Sequence, residues 1–128
     1  MDAVRRKLRL VPAFLSLWVV GCHVATDPAD VNLAGCWAKQ IEIAGSALSF
    51  TLSEADGTIS GTGTFAIEAG RNGTLVVSGR RSGKDLWLTL NYDFGYVWPL
   101  DATILSDNWF TAHPSTDPTS TADFRRCP

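Results

Sequence analysis

Long runs of strict alternation constrain this chain more than anything else in it. Leu48, Phe50 and Leu52 alternate with Ser49, Thr51 and Ser53. Ile59, Gly61, Gly63, Phe65 and Ile67 alternate with Ser60, Thr62, Thr64 and Ala66, and Leu86, Leu88 and Leu90 with Trp87, Thr89 and Asn91. A period of two over such lengths is the signature of a half-buried strand. No window sustains a period of 3.6, so the fold is all-β. Ala44-Gly45-Ser46, Asp56-Gly57, Asn72-Gly73, Ser82-Gly83 and Asp93-Phe94-Gly95 break the runs. Asn-Gly and Asp-Gly tolerate positive φ and are strong hairpin signals. Turns at roughly ten-residue intervals suit a sandwich or an up-and-down barrel. The pattern predicts about eight strands, near 34–43, 47–54, 58–67, 73–79, 85–92, 95–105, 107–112 and 121–127. Pro99 marks an edge or a bend, and residues 113–120 form a long polar loop.

The two ends of this strand array carry matching features. Cys36 lies in the first strand and Cys127 in the last. An even number of meandering strands makes those two antiparallel neighbours, which closes a barrel. In an oxidising compartment the pair is expected to bond, and two cysteines without clustered histidines make a poor metal site. If Trp37 points into the core, Cys36 and Cys127 point out. Arg126 and Phe124 then share the inner side with Trp37, and Arg126 can stack on the indole as a cation–π pair. Gly35, Trp37 and Arg126 are therefore the expected closure residues.

The N-terminus carries Arg5, Arg6, Lys7 and Arg9, followed by an apolar run from Leu10 to Val20. A spanning helix needs about 20 apolar residues, and this run is shorter. A basic region, an apolar region and a small residue before a cleavage point make a secretory signal. Ending in Val19-Val20-Gly21-Cys22, it resembles a bacterial lipobox. The resemblance implies cleavage before Cys22, acylation of its thiol and a lipid-anchored protein of the cell envelope. His23 in place of Asp resembles outer-membrane sorting. The expected organisation is a signal over 1–21, an acylated tether over 22–32 and one β-barrel domain over 33–128. Four of the 11 basic residues and one of the 13 acidic residues, Asp2, lie in the signal. The remainder carries net charge −5, which argues against a nucleic-acid partner.

The Gly35-Cys36-Trp37 opening, with an arginine from the last strand packed on the tryptophan, resembles the lipocalin and avidin superfamily of antiparallel barrels. Gly-x-Trp also occurs in exported barrel-shaped protease inhibitors of bacteria. A clasp between first and last strands in a small acylated barrel is similar to the periplasmic lysozyme inhibitors. Avidins carry a biotin-binding Asn two residues after the Trp, where this chain has Lys39. The lysozyme inhibitors use a Ser-Gly-x-x-Tyr loop, and the Ser-Gly pairs at Ser60 and Ser78 lack the Tyr. Neither specific activity carries over, and the family within the superfamily stays open.

Enzyme chemistry needs convergent acids, bases or nucleophiles. Residues 33–128 hold a single histidine, His113, with Ser115 and Asp117 beside it in the polar loop. Such a loop is expected to be solvated and not catalytic, and no cofactor is expected. Aromatic residues crowd the C-terminal half. Trp87 falls on the face opposite Leu86, Leu88 and Leu90, and Trp98 shares a face with Phe94, Tyr96 and Leu100. Packing is one account of these residues. The other is an aromatic rim at the barrel mouth, with Trp87, Tyr96, Trp98 and Trp109 as its candidates. Arg80, Arg81 and Lys84 fall at one hairpin tip and read as solvated. The expected role is a non-catalytic module for a small apolar ligand. The alternative is an inhibitor that meets a secreted hydrolase through a loop or the rim.

Overall fold

In the computed structural model, residues 26–41, 45–67 and 70–128 are described. The signal and Cys22 lie outside them. Eight strands follow one another: β1 (Gly35–Lys39), β2 (Ala47–Ala55), β3 (Thr58–Ile67), β4 (Arg71–Ser82), β5 (Asp85–Tyr92), β6 (Val97–Ser106), β7 (Trp109–Pro114) and β8 (Ala122–Arg126). Each pairs antiparallel with the next, and β8 returns to β1, so the sheet is a closed up-and-down barrel. Closure leaves no open sheet edge among the described strands.

Alternation sets what lies inside. Leu48, Phe50 and Leu52 of β2 are buried, as are Leu86, Leu88 and Leu90 of β5. The middle of the barrel is filled by rings. Trp37 meets Phe110 edge-on at 4.8 Å, Phe110 stacks on Phe124 at 4.8 Å, and Phe124 meets Phe50 at 5.4 Å. Small barrels are commonly packed solid in this way.

The seam between β1 and β8 is built as the alternation requires. Trp37 stands directly opposite Arg126. Arg126 lies 4.1 Å over the indole. Its guanidinium donates to the carbonyls of Asp107, Ala34 and Asn32 at 2.9, 2.7 and 2.5 Å. The indole N–H donates to Leu33 O at 2.9 Å. Cys36 and Cys127 are joined by a disulfide across the same seam.

The pole beside this seam is capped. Residues read as tether take part in the folded body there. A 3₁₀ turn over Pro28–Asp30 leads to Val31 and Leu33, both buried. Arg81 holds the cap down, although the sequence placed it on a solvated tip. Its side chain is only 7% exposed and pairs with Glu54 at 3.0 Å. It also donates to the carbonyls of Pro28, Ala29 and Val31 from the cap and to Gly83 O in its own hairpin. Arg80, its neighbour, instead stacks outside on Trp87. Arg81→Met should leave cap carbonyls and Glu54 without their donor and cost about 2–3 kcal/mol. The readout is limited proteolysis. Cleavage in the 27–34 segment should accelerate in Arg81→Met and stay unchanged in Arg80→Met, which loses only an exposed stack. Equal cleavage in both variants would refute this role for Arg81.

One expected turn is not a turn. Asn72 and Gly73 lie within β4, opposite Ala66 and Phe65, and the chain reverses instead before Arg71, where Gly70 has φ of +82°. Gly73 answers a different need. Asp93 from the β5–β6 turn accepts the Thr74 N–H at 2.8 Å, and a Cβ on residue 73 would stand 2.2 Å from that carboxylate oxygen. Pro99 also sits inside a strand, opposite Thr89 in β6, and its carbonyl accepts from Ser115 N.

Candidate functional site

The pole opposite the cap is the mouth, where the β1–β2, β3–β4 and β5–β6 connections lie. Here the interior positions are no longer covered. Phe65 and Leu48 are still buried, but Ile67 on the next inward position of β3 is 41% exposed. The result is an open cup of about 570 Å³. Volumes of this order suit a small ligand. Its wall is aromatic: Phe65, Tyr92, Phe94, Tyr96 and Trp98 all line it. Phe65 lies edge-on to Tyr92 and Phe94 at 5.0 and 5.5 Å, and Phe94 and Tyr96 are parallel at 6.2 Å. The β5–β6 turn presents Phe94 and Tyr96 about half exposed. That turn is held by Tyr92 and Tyr96 backbone pairing, and by Gly95 N–H donating to Tyr92 O.

Polar groups in the cup are few. Lys39 is the charged residue among those lining it. It occupies the third inward position of β1, after Gly35 and Trp37, and stands opposite Phe124 of β8. The Tyr92 and Tyr96 hydroxyls, the Trp98 indole N–H and the Lys39 ammonium have no hydrogen-bond partner among the described residues. Burial, aided by Tyr96, pushes the Tyr92 phenol up to about 12. Like any phenol it is protonated at neutral pH, with an O–H to donate.

The four rim candidates divide. Tyr96 and Trp98 line the cup. Trp87 and Trp109 do not; they belong to the outer wall, alternating with buried Leu86, Leu88 and Phe110. Each there carries an arginine, Arg80 at 4.6 Å on Trp87 and Arg125 at 4.3 Å on Trp109. Trp109 also donates to Asp123 at 3.2 Å. Strand alternation sends these rings outward, and the arginine stems cover them. Lys39, Phe65 and Tyr92 were missed as site residues. The signal for Lys39 was present, since a residue two beyond an inward Trp in a strand also faces inward.

The polar loop brings its three groups to other partners. Ser115 donates to Asp101 at 3.0 Å, and His113 donates from Nδ1 to Pro114 O at 2.9 Å. The Asp117 carboxylate is held below its usual range by the hydroxyl and N–H of Thr119. The imidazole activates neither hydroxyl here.

No protein-family model, no curated protein and no solved structure matches this chain.

Proposed function

We propose that this protein is an exported, lipid-anchored binding module of lipocalin-like architecture that takes a small apolar ligand in the cup at its mouth. One observation carries this: an aromatic-walled recess at one pole of a barrel whose interior is otherwise packed. The aromatic surface gains by leaving water, at about 25 cal/mol per Å² of apolar area covered. The tyrosine hydroxyls and the indole N–H, without partners among the described residues, supply orientation, as polar groups do in small-molecule sites.

The anchor belongs to the same proposal. The basic N-terminus and the Val-Val-Gly-Cys22 sequence support acylation at Cys22 in the cell envelope, at the outer membrane. Five residues separate Cys22 from Pro28, a reach of roughly 20 Å at most. They arrive at the capped pole. The lipid would then hold the closed end near the bilayer and leave the cup facing the aqueous side.

The test is titration of the soluble domain with phenylnaphthylamine, a neutral dye that brightens in apolar surroundings. Saturable one-site uptake, with quenching of tryptophan emission that Trp98→Phe removes, is the expected result. Uptake that never saturates, or quenching unaffected by Trp98→Phe, would remove the cup as the site.

A second arrangement favours protein recognition. Phe94 and Tyr96 project at 46% and 51% exposure on one short turn, as an inhibitory loop would. A tight complex with a secreted hydrolase, lost in Phe94→Ser without loss of dye uptake, would support that role instead.

A further inference from the structure

We infer that the ligand of the cup is an amphiphile with an anionic end, and that Lys39 is the residue that selects it. The inference rests on the cup being the binding site, as proposed above, and adds the chemical class of its occupant. Lys39 shares its inward face with Trp37, and apolar residues, Ile41, Leu48, Phe65 and Trp98, line the cup with it. A strand position of this kind ordinarily carries an apolar side chain. Here a cation projects into the recess instead, with no carboxylate beside it among the described residues.

Physical chemistry fixes what such a group recognises. A cation in a partly dry, low-dielectric recess attracts an anion more strongly than it would in water. Ammonium–carboxylate hydrogen bonds are also roughly twice as strong as neutral ones. The neighbouring donors point to the same chemistry. Tyr92 keeps its phenolic proton, and the Trp98 indole can only donate. A headgroup rich in acceptors, a carboxylate or a sulfonate, satisfies all of them. The second cation near the mouth, Arg71, lies 5.1 Å over the Phe94 ring, so it guards the rim and leaves Lys39 as the interior cation. The apolar part of the ligand would lie against Phe65, Tyr92 and Phe94.

The test uses two matched competitors, decanoate and decanol, displacing phenylnaphthylamine from the soluble domain. Both have the same chain and differ in the end group. Decanoate should displace the dye at about tenfold lower concentration than decanol, the scale of one charge-assisted hydrogen bond in a half-open site. Lys39→Met should abolish the difference, each variant's competition being referred to its own dye affinity, and Lys39→Arg should restore it. The near-ultraviolet circular dichroism of the native domain, retained in Lys39→Met, shows that the barrel is still folded. Equal displacement by the two competitors in the native domain would overturn the anionic class and leave the apolar cup standing. A preference for decanoate that survives in Lys39→Met would overturn the role of Lys39. If the dye does not bind the native domain, the cup itself fails and this inference falls with it.

Discussion

Replacing Trp37 by alanine should cost the barrel about 4–5 kcal/mol, the upper end for deletion of a buried aromatic ring. The ring is fully buried and touches Phe110 inside and Arg126 above. The cavity left behind has little chance to collapse. Arg126 is fixed by three carbonyls on two segments, the 32–34 stretch and the turn before β7, so it cannot fall into the space. Leu33 O also loses its indole donor. A domain of this size has a total stability of about 5–15 kcal/mol, so Trp37→Ala should lie near the limit of folding. Trp37→Phe keeps most of the packing and should cost clearly less. The measurement is urea unfolding followed by near-ultraviolet circular dichroism. A loss below about 2 kcal/mol in Trp37→Ala would mean that the seam is softer than its contacts imply.

Removal of the disulfide by Cys36→Ala with Cys127→Ala should be the other large effect. The link spans 91 residues of sequence, so it restrains nearly the whole unfolded chain. Loop-entropy arguments give about 4–5 kcal/mol for a ring of that size, with measured values often lower. At about 4–8 °C per kcal/mol for a domain of this length, the double variant should melt on the order of 15 °C lower. Uptake of the neutral dye at temperatures below that transition should be unaffected, because the clasp and the cup occupy opposite poles. A melting point within a few degrees of the native one would show that the cap and the Arg126 contacts hold the seam without the covalent bond. Loss of dye uptake in a folded double variant would show instead that the two poles are coupled.

Strand number, strand order and the facing of the seam residues were legible because each rests on a local rule. Period-two alternation gave the faces, and alternation applied from Trp37 placed Cys36, Phe124, Arg126 and Cys127 correctly. What stayed hidden depends on groups far apart in sequence. Arg81 reads as one more charge at a hairpin tip until residues 28–31 fold back over it. Asn72-Gly73 reads as a turn until Asp93, 20 residues on, claims the space above the glycine. Trp87 and Trp109 share a composition with the mouth residues but not a face; outward alternation was readable, while height along the barrel was not. Lys39 was legible in direction, yet the apolar residues that line the cup with it, Phe65 and Trp98 among them, could be known only once the cup was assembled.

The order of strands around the barrel is the order along the chain, and that has a consequence for how the protein comes into being. Seven of the eight pairings join consecutive strands across short connections. Such contacts cost little loop-closure entropy and form quickly. The eighth, β1 with β8, must wait for the last strand of the barrel. Until then β1 presents an open edge bearing Trp37 and an unpaired Cys36 thiol, the kind of edge that recruits other chains. A nascent molecule is therefore most vulnerable at its beginning, and it is released from that hazard only when its final strand arrives.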